Sequence, residues 1–225
     1  MKQVISFFIS LLTTSSIFSQ DSLLVGKKYF EDQIYVGITY NTLTYEPKEL
    51  EQKGISTGFQ FGFIKDIPLN KKGSFAFALG LGYSFNSYNH NIRINQEEPL
   101  YTFIENTYQK NKLITHSIEL PFELRFRLTS SPTIYQFWRI YIGGKIGYIY
   151  SSNTHFVDEL SDVKIRKLSI LDQIYYGPQI AIGYNAVNVY AYYNLNPIFI
   201  QSESSDNVGI SDVKKISVGL QFYIF

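Results

Sequence analysis

The residue pattern of this chain predicts an all-β fold, an eight-stranded antiparallel transmembrane β-barrel with an N-terminal signal peptide. Three observations carry that expectation. First, apolar and aromatic residues recur at every second position from Gln33 to Phe225, with Gly, Ser, Gln or charged residues between them; Ile216-Ser217-Val218-Gly219-Leu220-Gln221-Phe222 is the plainest case. A period of two gives strands with two unlike faces, and in a membrane barrel the apolar face meets lipid while the other lines the lumen. Second, the chain has 19 Tyr and 18 Phe but only 17% charged residues, rich enough in rings for interfacial girdles and poor in charge for a water-facing surface. Third, residues 1–20 join Lys2, an apolar stretch at 4–12, a small polar run at 13–16 and Ser19-Gln20, the order of regions in a secretory signal peptide.

The remaining composition narrows the function classes. A net charge of +1 makes no electrostatic case for nucleic acid or acidic substrates. Cysteine is absent, which excludes disulfides, thiol nucleophiles and lipid attachment to a processed N-terminal Cys. No segment after the leader offers the roughly 18 uninterrupted apolar residues of a transmembrane helix. Export without a helical anchor, combined with long two-faced strands, points to the outer membrane of a Gram-negative cell. The organisation expected is a signal peptide at 1–20, a periplasmic N-terminal segment at 21–32 and an outer-membrane barrel at 33–225.

The strands read as 33–44, 55–65, 74–88, 112–128, 138–151, 168–184, 187–198 and 214–225. An even number returns both termini to one side. Connections after the first, third, fifth and seventh are the longer ones, above all 89–111 and 152–167, whereas Asn185-Ala186 alone separates the sixth and seventh strands. Long polar loops outside and short periplasmic turns are the outer-membrane arrangement. On the third strand Phe75, Phe77, Leu79, Leu81, Tyr83 and Phe85 share a side, opposed by Ala76, Ala78, Gly80, Gly82, Ser84 and Asn86. Phe59, Phe61 and Phe63 likewise oppose Gly58, Gln60 and Gly62. The small residues face a lumen just wide enough for side chains to fill, not an open pore. Tyr40, Tyr45, Tyr88, Trp138, Tyr148, Tyr150 and Tyr184 fall near strand ends, where amphipathic rings suit the headgroup region. A soluble lipocalin-type barrel shares the period, but its water-facing positions should be rich in Lys and Glu, and here they are mostly Gly, Ser, Ala, Asn and Gln.

The strongest chemical signal lies on the fourth strand. Within 113–128 the odd positions include Glu119, Glu123, Arg125 and Arg127, and the even ones are almost wholly apolar. All four charges therefore point into the lumen. The next strand adds Lys145 between Gly143 and Gly147; with the hairpin centred near Thr133, Lys145 lies opposite Pro121 and diagonally within reach of Glu119 and Glu123. A buried ion-pair cluster is expected, either as a plug that fills the lumen and sets register or as a polar relay; a narrow barrel favours the plug. Pro121 and Pro178 stand inside strands and should mark bulges.

The stretch His116-Ser117-Ile118-Glu119-Leu120-Pro121-Phe122-Glu123-Leu124, followed by Phe137-Trp138-Arg139-Ile140-Tyr141-Ile142-Gly143-Gly144-Lys145-Ile146-Gly147-Tyr148, resembles the Glu-Leu-Pro and glycine-rich strand core of the PorT-like outer-membrane β-barrel proteins of Bacteroidota. Residues 62–70 and 79–88 support the similarity, which covers nearly all of the mature chain. The resemblance implies the barrel, the outer membrane and a link to protein export through the type IX secretion system; it carries no catalytic residues. Phe225 resembles the C-terminal aromatic that assembly machinery recognises, although Leu220, Phe222 and Ile224 hold the apolar parity.

Enzymatic motifs are poor. His90, His116 and His155 have no metal-ligand spacing, and no cofactor is expected. Ser151, His155 and Asp158 lie near one another along a rim loop, but proximity in sequence does not make a triad. Glu203, Asp206 and Asp212 form an acidic loop patch that matches no EF-hand. Tyr101, Phe103 and Tyr108 in the loop at 89–111 are candidate anchors for a partner, with packing over the barrel mouth as the alternative. The function expected is that of a non-enzymatic outer-membrane barrel, an accessory or structural component in contact with lipid and with secretion-system or other outer-membrane proteins. A barrel that binds or transports a small apolar ligand is the alternative, and it requires a lateral opening or an internal pocket.

Overall fold

The strands of this chain close on themselves, the last described strand of the wall pairing with the first. The computed structural model describes residues 32–44, 49–71, 73–95, 101–104, 108–128, 138–200, 210 and 212–224. Within them the strands are β1 (Gln33–Thr44), β2 (Thr57–Pro68), β3 (Phe75–Asn89), β4 (Ile92–Ile94), β5 (Tyr101–Phe103), β6 (Lys110–Leu128), β7 (Trp138–Val157), β8 (Asp162–Arg166), β9 (Ile174–Tyr184), β10 (Val187–Tyr193) and β11 (Lys214–Ile224). Eight of these form the wall in the order β1-β2-β3-β6-β7-β9-β10-β11, and β11 pairs back onto β1 from Ile34↔Ile224 to Thr44↔Lys214. Every neighbour is antiparallel. The expected eight-stranded barrel is therefore present, and no helix of the described residues is long and apolar enough to cross a membrane.

Burial alternates with the sequence period. On β6 the even residues from Ile118 to Leu128 are exposed and the odd ones from Asn111 to Arg127 are mostly buried. Ile34, Ile38, Phe59, Phe61, Phe63, Leu79, Leu81, Ile142, Ile146 and Leu220 are among many large apolar side chains on the outside. That inversion of the usual inside and outside is the signature of a wall made for lipid.

The short-turn end is tied by local chemistry. Gly73 takes a positive φ of 67° and donates to the Asn70 carbonyl at 3.2 Å, while the Asn70 side chain accepts from the Phe75 amide at 3.3 Å. Asn185, at φ 55°, turns β9 into β10. The other end is built differently from the polar loops the sequence suggested. Leu43, Leu50, Tyr88, Ile92, Ile94, Tyr101, Leu113, Ile165, Leu168, Ile170, Leu171, Ile198, Phe199, Ile210 and Val213 form an apolar core above the barrel mouth. The β4-β5 hairpin and the β7-β8 hairpin both contribute to it. This cap accounts for two strand boundaries. β9 begins at Ile174 rather than at 168, and β10 ends at Tyr193 rather than at 198, because Leu168 to Leu171 and Ile198 turn inward to the cap. Tyr88, expected at the headgroup level, is buried in the same core, whereas Tyr40, Trp138, Tyr148, Tyr150 and Tyr184 do point outward.

The bulge lies elsewhere than expected. Register runs unbroken past Pro121 and Pro178 and shifts between His116 and Ser117, where Tyr150 is the extra residue on β7. Each proline sits where one ladder lapses: pairing of β3 with β6 omits Pro121, and pairing of β9 with β10 stops at Gln179. The missing N–H therefore costs no ladder bond, and neither strand has to bulge. The signal peptide at 1–20, the segment at 21–31 and Phe225 lie outside the described residues.

Candidate functional site in the barrel lumen

One ring of residues around the wall explains how a charge fits inside so narrow a barrel. Cross-strand pairing aligns Tyr223, Tyr35, Gly62, Gly82, Glu119, Gly147 and Tyr175 in sequence around the barrel. Glycines stand on both sides of Glu119, and tyrosine rings fill the space they vacate. A Cβ on Gly82 would strike the Tyr35 hydroxyl, and one on Gly147 would strike the Tyr175 ring. The Tyr175 hydroxyl donates to Glu119 Oε1 at 2.5 Å, and Lys145 Nζ meets Glu119 Oε2 at 2.9 Å. Lys145 also donates to Gln60 at 3.0 Å and lies 4.6 Å from the Tyr192 ring. Above it, Lys215 is buried over the rings of Tyr175 and Tyr192, at 5.1 and 5.3 Å.

A second group lies toward the short-turn end. Asp66, Ala78 and Glu123 face each other across β2, β3 and β6, and the small Ala78 leaves room for the Arg125 guanidinium. Arg125 meets Asp66 at 2.5 Å and Glu123 at 2.9 Å, donates to Gln33 at 3.0 Å and stacks 4.4 Å from the Tyr141 ring. Arg127 bonds the other oxygen of Asp66 and donates to the Gly73 carbonyl at 3.0 Å, so the β2-β3 turn is fastened to the lumen. Gln179 and Tyr223 complete the donors to Glu123, at 2.9 and 3.2 Å. Arg139 is fully buried nearby, opposite Arg127 on β7.

All five charges named from the sequence, Glu119, Glu123, Arg125, Arg127 and Lys145, thus lie buried in the lumen, and Lys145 pairs with Glu119. Sequence reasoning missed Asp66, Arg139 and Lys215, although their parity, shared with Gln60, Tyr141 and Gln221, was a usable signal. Charges in a medium this dry are stable only with partners, and here the acids Asp66, Glu119 and Glu123 each have a cation in contact. Two hollows among the described lumen residues are about 20 and 10 Å³. Space of that size is on the scale of single water molecules.

The rim residues do not assemble into catalytic machinery. His155 Nε2 bonds Asp162 at 2.9 Å. Asp158 instead accepts from the Leu160 amide at 2.8 Å and from the Ser161 amide and hydroxyl at 2.6 and 2.9 Å, which hold its carboxyl below the usual range. Ser151 pairs across the wall with His116, whose Nδ1 is 2.7 Å from the Tyr83 hydroxyl. Among the described residues no group of three or more His, Cys, Asp or Glu could hold a metal ion. Glu203 and Asp206 lie outside the described residues, and Asp212 is exposed. Tyr101 is turned into the cap with Phe103 against it at 5.8 Å, while Tyr108 is half-buried against Phe156 at 6.2 Å.

A match to a known family bears on the architecture. No curated protein matches the chain. Among solved structures it is similar to Ail, the attachment invasion locus protein of Yersinia pestis, at 13% identity over 86% of this chain and 97% of that one, with a TM-score of 0.38. Ail in complex with the heparin analogue sucrose octasulfate gives 15% identity, 88% and 100% coverage and a TM-score of 0.36. A mutant of the Rh. blastica porin gives 7% identity, 87% and 100% coverage and a TM-score of 0.21. The family model for the outer membrane protein beta-barrel domain matches residues 18–200. A closed, lipid-faced wall under a family match of that extent leads to one conclusion: the chain belongs to the outer membrane protein beta-barrel domain family.

Proposed function

We propose that this outer-membrane barrel is non-enzymatic and works through its outer wall and its cap, as an accessory or structural component of a membrane assembly. The filled lumen carries this reading. Ion pairs and tyrosines occupy the interior, and an apolar cap lies over the mouth, so that among the described residues the lumen offers neither a wide aqueous path nor a roomy pocket for an apolar ligand. In this reading the charge cluster is a structural plug. The long-loop end faces outward and the short turns face the periplasm, as in other outer-membrane barrels. Phe103 and Tyr108, half-buried at the cap surface, are the aromatic contacts offered to a partner, with Tyr101 anchoring their loop from below. The Glu-Leu-Pro resemblance makes type IX protein secretion the assembly of choice.

The test is purification of the tagged protein from native membranes in mild detergent, with mass spectrometry of whatever accompanies it in comparable amount. A secretion translocon at near-equal amount supports the accessory role; recovery alone favours an independent barrel. In planar bilayers the purified protein should show no steady conductance. Stable open channels would overturn the plugged lumen.

A further inference from the structure

The outside of the wall at the long-loop end carries a cationic face that nothing in the lumen requires. Lys112 on β6 lies opposite His155 on β7, and His155 opposite Lys164 on β8. The next row toward the lipid belt is Ile114, Asn153 and Arg166, with Lys167 following and Lys110 above. Two adjoining hollows of about 200 and 330 Å³ share Asn153 and Arg166 and are lined by these cations. The described acid within this face is Asp162, which is held by His155. Among the described residues none of Lys110, Lys112, Lys164, Arg166 or Lys167 takes part in an ion pair. Like charges crowded across neighbouring strands repel. An anion seated on the array would relieve that repulsion.

Its height is set by the bulge. Tyr150 is the extra residue that reverses the parity of β7, so that below it even residues face lipid and above it Asn153, His155 and Val157 do. Ile146, Tyr148 and Tyr150 end the exposed apolar belt on this strand. With a tilted rise of roughly 2.4 Å per residue, the Arg166 row stands about 7 Å and the Lys112 row about 12 Å above Tyr150. That is the depth at which lipid phosphates and sugars meet the wall.

We infer that this face binds the phosphate groups of an anionic glycolipid in the outer leaflet. The inference rests on the outward orientation of the long-loop end proposed above. Lys112, Lys164 and Arg166 are the residues that engage phosphate, Arg166 nearest the acyl region, and the contact fixes the barrel among its boundary lipids.

The full chain is reconstituted in phosphatidylcholine nanodiscs doped with either a diphosphorylated glycolipid or its dephosphorylated form, and the lipid retained on extraction is counted by native mass spectrometry. The wild type should retain the phosphorylated form at least about tenfold over the other, with the preference falling as salt rises. The triple variant Lys112→Gln/Lys164→Gln/Arg166→Gln should lose it, while Lys112→Arg/Lys164→Arg/Arg166→Lys keeps it. In neutral detergent the neutralised variant should unfold at the same or a higher temperature than the wild type, which separates lipid binding from a structural role. Equal retention of the two glycolipids, or unchanged retention by the neutralised variant, overturns the inference. Competition by inorganic phosphate as effective as by glycolipid would identify a free-anion site and overturn the lipid assignment. Orientation is read separately from Leu160→Cys, a position 98% exposed at the tip of the same hairpin. Labelling of intact cells by an impermeant maleimide supports the leaflet assigned here, and absence of label overturns it whatever the nanodiscs show.

Discussion

Glu119 neutralises a lysine, accepts from a tyrosine and stands between two glycines, so its removal is the sharpest single test of the plug. Glu119→Ala leaves Lys145 buried without its counter-charge, which costs about 3–5 kcal/mol. The measurement is the temperature or urea concentration at which the folded band is lost on a mobility gel; a variant that resists heat like its parent sinks the structural role. Asp66→Ala removes a carboxylate that two guanidiniums share, with Arg125 keeping Glu123, and should lower the same midpoint. His90, in the cap outside the membrane, gives a different prediction. Its Nδ1 accepts from the Ile92 amide at 3.2 Å, its Nε2 is buried, and burial lowers its pKa to about 4. The unfolded loop therefore binds more protons between the ordinary histidine value of about 6.5 and that lower value. Cap stability is complete above the upper limit and falls as pH drops toward the lower, by on the order of 3 kcal/mol. Protection factors of the Ile92 and Ile94 amides, the exchange rates taken relative to the intrinsic rate at each pH, should fall over that window in the wild type and not in His90→Asn; equal profiles would remove histidine as the cause.

At the scale of the strand, the same residue type has opposite meanings on the two faces. Gly147 faces inward under the Tyr175 ring, and Ile146 beside it faces lipid with 49% exposure. Gly147→Val should displace Tyr175 from Glu119 and destabilise by about 1–3 kcal/mol through overpacking. Ile146→Leu should be close to neutral. Equal unfolding midpoints for these two variants would contradict the packing described. The charges of β6 were legible because strict alternation runs from Asn111 to Leu128 on one strand. Asp66 shares the inward parity of Gln60, but its partner was not legible, because Arg125 comes to it only through the pairing of β2 with β3 and of β3 with β6. The bulge also escaped the sequence: proline was the visible signal, yet the shift falls between His116 and Ser117, where no residue type announces it.

For the whole molecule, the two interiors obey different rules. The lumen is held by ion pairs and tyrosine hydroxyls, and the cap by aliphatic and aromatic contacts of the ordinary globular kind. Because His90 sits in the cap, acid should loosen the cap while the backbone ladders keep the wall closed, and circular dichroism should keep its strand signal through the pH range in which the His90 region opens. Simultaneous loss of both would show a single cooperative unit in place of two.

The sequence by itself determined the strand period, the lipid face, the closed even-stranded wall and the inward charges of β6, because each follows from local alternation along one strand. The tertiary structure alone decided who neutralises whom, where the bulge lies and that the loops form an apolar cap. Those features depend on which distant strands become neighbours and on how much room their side chains leave, and neither is written in the period of any one segment.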